Sequence, residues 1–287
     1  MARGFLLKNQ IIVLSLLLVA SVGVGKDKQE ADFSKIPDVL FLLGGQSNMH
    51  GNGFMADLPH TKEFETYLNP PMNVSIWDLK CKEWTSLKIG KRFGPEIGFA
   101  HTLSKALPGK HIGIVKFAAG GTSMDRWKPE GKLYNRLLSN LTLAQQRAPN
   151  AKLAAMLWHQ GESDTDKKEV AEAYQAKFIQ FINSIRKYTK EANLLFIYGQ
   201  INPGNSFLGR KRWKYVDIVR KAQADLKLSN AVMIKTDDCE KNAYSDGAAN
   251  TPKEKQIKSK QDNVHYSGKG QIKMGIRFAE AYLKTTK

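Results

Sequence analysis

The chain of 287 residues holds only two cysteines, Cys81 and Cys239, far apart in sequence and without metal-ligand spacing. Its six histidines form no HExxH, and there is no paired CxxC, so no metal centre is expected. Export would permit a disulfide between Cys81 and Cys239, although two distant cysteines do not argue for one by themselves. Acid is also scarce, with 27 Asp and Glu against 44 Lys and Arg and a formal net charge of +17. Such an excess suits acidic partners, for example uronate-bearing polysaccharide, and it equally suits a lysine-rich solvated surface. Basic residues are spread out, with modest clusters at Arg210-Lys211-Arg212 and Lys253 to Lys260, and no nucleic-acid motif accompanies them. No apolar run reaches the roughly 20 residues of a membrane helix. The nearest, Ile11 to Ala20, follows basic Arg3 and Lys8 and precedes small residues through Gly25, which is the layout of a secretory signal peptide over residues 1–25. A retained anchor is the competing reading. Export makes the protein secreted or periplasmic, with no integral span after cleavage. Residues 26–35 then read as a flexible leader and 36–287 as one domain, a length that a single α/β core can fill.

What is present is strand and helix in alternation. Asp38 to Leu43 is a short branched and aromatic run stopped by Gly44-Gly45, the pattern of a buried strand, and Gln46-Ser47-Asn48-Met49 follows. Gly94-Pro95-Glu96 starts a helix with proline and an acid where each is favoured, and Phe99, Leu103 and Leu107 continue it. Ile112 to Phe117 is a second strand running into Ala119-Gly120-Gly121-Thr122-Ser123, and a helix marked by Leu133, Leu137 and Leu141 comes after it. Ala151 to Trp158 is a third strand leading into His159-Gln160-Gly161-Glu162-Ser163-Asp164, before one long helix whose stripe is Ala171, Tyr174, Phe178, Phe181, Ile182 and Ile185. Leu194 to Tyr198 and Ala231 to Ile234 complete five strands, while Val74 to Trp77 has the composition of a short extra one. A polar stretch from Asp237, of lid or binding-loop length, precedes the last helix. This order predicts a mostly parallel five-stranded sheet with helices on both faces, a three-layer α/β sandwich. The loops after strands one, two and three then emerge at one carboxyl edge, where such sheets carry ligands.

Ser47 is the candidate nucleophile at that edge. A serine hydroxyl needs a base to take its proton and a third group to orient the base. Asp262 and His265, three residues apart before the last helix, fit those roles. The elbow G-x-S-x-G fails, because Met49 stands two residues after Ser47. Taken together, Gly44-Gly45-Gln46-Ser47-Asn48-Met49, Ala119-Gly120-Gly121-Thr122-Ser123, Trp158-His159-Gln160-Gly161-Glu162-Ser163-Asp164 and Asp262-Asn263-Val264-His265 resemble the SGNH hydrolase superfamily. The branch resembled is that of sialate O-acetylesterase-like proteins and carbohydrate esterase family 6. Gly94 to Ala100 looks like that family as well.

The resemblance implies a flavodoxin-like sheet and a secreted serine esterase that removes O-acetyl groups from carbohydrate, such as xylan or sialic acid, without a cofactor. Ser47 would attack, His265 would act as base and then acid, and Asp262 would orient it. The oxyanion donors would be the backbone of Ser47, that of Gly120 or Gly121, and the side chain of Gln160, which stands where the wider superfamily has asparagine. Gln46 and Asn48 would anchor the nucleophile turn. Glu162 fits two roles, a second carboxylate for His265 or a loop fastener. Arg126 and Trp127 suit sugar binding, although a tryptophan at a sheet edge also packs; His159 reads as a wall residue, and Trp213 as a polyanion contact or a helix start. The alternatives are another small-acyl or lipase-like hydrolase of the same fold, or a carbohydrate-binding protein without turnover.

Overall fold

The computed structural model describes residues 36–286 apart from 70, 205, 208–209, 212, 248–251, 254 and 256–261. The expected signal peptide over 1–25 and leader over 26–35 lie outside the described residues. The central sheet has strands β1 (Val39–Gly45), β2 (Val74–Trp77), β3 (Trp84–Ser86), β4 (Ile112–Ala118), β5 (Lys152–His159), β6 (Leu195–Gly199) and β7 (Ala231–Ile234). Their spatial order is β7-β6-β5-β1-β4-β2-β3, and every neighbouring pair is parallel except β2 and β3. The expected five strands are all present, and the sheet gains two at one edge. Val74–Trp77 pairs with β4, and Trp84–Ser86 folds back on it antiparallel; the latter is only three residues long, too short to show a period in the sequence.

Helices are α1 (Ser47–His50), α2 (Lys62–Leu68), α3 (Glu96–Ala106), α4 (Lys132–Arg147), α5 (Lys168–Glu172), α6 (Tyr174–Thr189), α7 (Val216–Ala224) and α8 (Gly268–Thr285). The single helix expected after the third strand is two, α5 and α6, separated at Ala173. Alternation along the strands supplies both faces of the sheet. Leu40, Leu42, Met156, Trp158 and Phe196 pack with α4, α6 and α7 residues such as Leu141, Phe181 and Val219, while Phe41, Leu43, Leu157 and Ile197 pack with Phe99, Leu103, Met274 and Phe278 of α3 and α8. The three-layer sandwich is therefore the observed architecture.

Chain direction makes the site. β1 is central, with β4 on one side and β5 on the other, so successive connections diverge from it and leave a crevice at the carboxyl ends of these strands. Cys81 is exposed and Cys239 buried, both as free thiols.

Candidate active site

β1 ends where only glycine fits. Gly45 has φ +145°, and a Cβ on it would stand 2.1 Å from the His159 carbonyl oxygen of β5. The chain then turns: Gln46 N–H donates to that same oxygen at 2.9 Å, and α1 begins with Ser47. Three amides hold this turn. Asn52 Nδ2 donates to the Ser47 carbonyl at 2.9 Å, and Gln46 Oε1 accepts from Gly161 and Ser163 N–H at 3.4 Å each. Asn48, fully buried, donates from Nδ2 to Glu162 Oε1 at 2.9 Å and accepts at Oδ1 from Tyr266 N–H at 3.0 Å.

The second loop continues β4 alongside. Ala119 N–H donates to the Gly45 carbonyl at 3.0 Å, and a Cβ added to Gly120 would stand 3.6 Å from Ser47 Cβ. Gly121 follows at φ +66°. Behind these glycines, Trp127 Nε1 donates to Thr122 Oγ1 and Gln160 Nε2 to the Thr122 carbonyl, both at 2.9 Å. Asp164 accepts from Met124 N–H at 3.0 Å and from Gln160 Nε2.

The fourth loop brings a carboxylate against an imidazole. His265 Nδ1 lies 2.7 Å from Asp262 Oδ2, and Asp262 Oδ1 accepts from the N–H groups of Val264 at 3.0 Å and His265 at 3.2 Å. Burial disfavours the charged form of Asp262, but the His265 ring and the two N–H groups outweigh it and hold the carboxyl below its ordinary range. With Nδ1 engaged in this way, Nε2 is the nitrogen left for chemistry.

Ser47, Gln46, Gly120, Gly121, Glu162 and His265 border one cavity of about 570 Å³, with Asp262 behind His265 and Asn48 beneath Ser47. Gln160 does not join them. Its side chain is fully buried and its Nε2 serves Thr122 and Asp164, so it braces the glycine loop where an oxyanion donor was expected. Trp127 is likewise no sugar platform: it is fully buried, edge-on to Trp158 at 5.1 Å and to Phe117 at 5.9 Å. Arg126 is exposed but off the cavity lining. His159 is buried below the cavity instead of forming its wall, with Nε2 3.5 Å from Glu162 Oε1. Glu162 has Asn48 and His159 as its partners, as a loop fastener would; they hold its carboxyl low against the opposing effect of burial.

Sequence reasoning missed His50, Asn52, Asp166 and Val264 on the lining. His50 and Asn52 follow the serine so closely that they read only as turn residues. Trp213 also lines the cavity, although it read as a polyanion contact or a helix start.

Residues 37–284 match the family described as carbohydrate esterase, sialic acid-specific acetylesterase. A probable carbohydrate esterase of Arabidopsis thaliana is 30% identical over 280 residues, which cover 92% of this chain and 97% of the relative. The crystal structure of that plant protein superposes with a TM-score of 0.68 at 26% identity over 86% of this chain and 98% of its own. NanS shares the fold at 16% identity with a TM-score of 0.66, covering 88% of this chain and 99% of its own. A carbohydrate acetylesterase from Xanthomonas citri does so at 19% identity and 0.61, over 85% of this chain and 55% of its own. The match runs through all four loops gathered at the sheet edge, and the chain thereby belongs to the carbohydrate esterase family of sialic acid-specific acetylesterases.

Proposed function

We propose that the protein is an exported serine esterase that removes O-acetyl groups from carbohydrate through an acetyl-Ser47 intermediate. The observation that carries this reading is a single cavity bordered by both Ser47 and His265, with the His265 ring fixed by Asp262 at 2.7 Å. Ser47 Oγ attacks the acetyl carbonyl as its proton passes to His265 Nε2. The oxyanion faces the N–H groups of Ser47 and of Gly120 or Gly121, which both border the cavity, and in related sites removing one donor slows the reaction about 10²–10³-fold. The ester C–O bond breaks, the departing sugar oxygen takes the proton from His265, and water repeats the sequence to release acetate. The acetyl group and the carbohydrate are drawn from the description of the matching family and the name of the similar plant protein. Export rests on the basic, apolar and small-residue order of residues 1–25.

Acetate release from 4-nitrophenyl acetate tests the chemistry. Ser47→Ala and His265→Ala each abolish it while the folded circular dichroism spectrum persists, and an organophosphonate labels Ser47 in the native protein. Undiminished hydrolysis by either variant overturns the assignment.

A further inference from the structure

A second cavity, of about 560 Å³, lies beside the catalytic one and shares His50 with it. It sits at the carboxyl ends of β2 and β4, which run parallel to β1, so both cavities belong to one sheet edge. Ala119 on its lining directly precedes Gly120 of the catalytic loop. Its size falls within the range of ligand sites, about 300–1,000 Å³. The lining mixes aromatic Trp77 and Phe117 with Asp78, Lys116 and Arg136.

Two of those three charges are already engaged. Lys116 Nζ lies 2.6 Å from Glu96 Oε2, and Asp78 Oδ1 accepts the N–H groups of Lys80 and Cys81 at 2.7 and 2.8 Å within its own turn. Arg136 differs. Its guanidinium stands over the Phe117 ring, 4.9 Å from the centroid, and no carboxylate among the described residues pairs with it. A guanidinium stacked on a ring is oriented, and its planar fork of donors matches the two oxygens of a carboxylate. The surplus of 44 basic over 27 acidic residues adds a field of the same sign.

We propose that this second cavity is a subsite for a carboxylate-bearing sugar unit next to the acetylated one, with Arg136 as its anion ligand. The substrate is then an acidic oligosaccharide spanning two cavities, and a lone sugar fills only one. The proposal rests on the esterase reading of the first cavity for its substrate, but its binding test stands apart from catalysis.

The experiment uses Arg136→Gln, with Lys152→Gln as a charge-matched control at the opposite end of β5. Calorimetry of oligogalacturonate with the Ser47→Ala protein reads binding without turnover. Adding Arg136→Gln weakens that binding about tenfold or more, as expected for loss of a charged hydrogen bond, whereas Lys152→Gln does not. In the active enzyme, the ratio of kcat/KM on acetylated oligogalacturonate to that on 4-nitrophenyl acetate falls by a similar factor in Arg136→Gln. Equal binding with and without Arg136, or equal losses in Arg136→Gln and Lys152→Gln, overturns the subsite. A wild-type protein that binds the oligomer through Arg136 but releases no acetate from any ester overturns the esterase reading and leaves the subsite standing.

Discussion

Asn48 Nδ2 donates to Glu162 Oε1 at 2.9 Å, joining the nucleophile turn to the third loop across 114 residues of sequence. The same side chain accepts from Tyr266 N–H at 3.0 Å, directly after His265. One amide thus ties the Ser47 turn to both the third loop and the His265 loop. Asn48→Ala leaves a buried carboxylate and a buried N–H short of partners, at a cost of about 1–3 kcal/mol for each unsatisfied group. We expect kcat on a small acetyl ester to fall more than KM changes. Asn48→Asp places a carboxyl against Glu162, and the crowded pair resists full ionisation. Its melting temperature therefore drops further below wild type at pH 8 than at pH 5. Equal deficits at the two pH values, with kcat intact, would remove this role from Asn48.

Asp262 Oδ2 lies 2.7 Å from His265 Nδ1, so in the proposed triad Asp262→Asn lowers kcat by about 10⁴, the loss known for this member of a triad. Stability also responds. A carboxyl held low in the folded protein contributes stability above its unfolded pKa and loses it as pH falls through the folded value. Denaturant unfolding across the acid range should show wild type losing this contribution and Asp262→Asn lacking it. A variant with the wild-type acid limb would mean that another carboxylate governs it.

Trp127→Ala should cost about 3–5 kcal/mol, because the ring is a fully buried part of the aromatic core. Urea unfolding reads that loss, and a KM change on acetylated oligosaccharide with stability preserved would restore the tryptophan to substrate binding. The case shows where sequence stops being legible. Strand ends were legible because Gly44-Gly45, Gly120-Gly121 and Gly161 interrupt apolar runs, and topology sends those interruptions to one edge. Asp262 and His265 were legible because their pairing needs only a local turn. Gln160 and Trp127 were not, since sequence names a side chain but not the direction in which it points. Both turn inward to brace Thr122. The antiparallel edge strand β3 escaped for another reason: three half-buried residues carry too little pattern.

Two glycines at the site should separate folding from activity. Gly45→Ala brings a Cβ to 2.1 Å from a backbone oxygen at φ +145°, and neither the strand end nor β5 can yield. The variant should be recovered unfolded or not at all. Gly120→Ala meets Ser47 Cβ at 3.6 Å, an ordinary contact, so it should fold with a melting temperature close to wild type. Its methyl group nevertheless stands beside Ser47 on the lining of the same cavity, and in the proposed mechanism kcat/KM should fall. Full activity in Gly120→Ala would exclude that side as the acyl site.

Asp164 gives the clearest pH signature. Burial pushes its carboxyl up to about 7, against the hydrogen bonds from Met124 N–H and Gln160 Nε2 that favour the charged form. The folded protein therefore binds a proton here more tightly than the unfolded chain, whose carboxyl titrates near its ordinary 3.8. By linkage, the Asp164 contribution to stability is greatest below the unfolded value. It declines as pH rises between 3.8 and about 7, and is flat above that. Asp164→Asn keeps a neutral carbonyl acceptor for Met124 N–H and removes the titration. Its stability relative to wild type should therefore improve from pH 5 to pH 8, even if its amide packs less well against Gln160. Because Asp164 holds Met124, just beyond the Gly120-Gly121 turn, a loosened loop should also appear as reduced kcat in Asp164→Ala, with partial recovery in Asp164→Asn. Chemical denaturation at the two pH values, paired with acetate release, checks both. A stability difference that does not change with pH would mean that Asp164 stays ionised in its buried site.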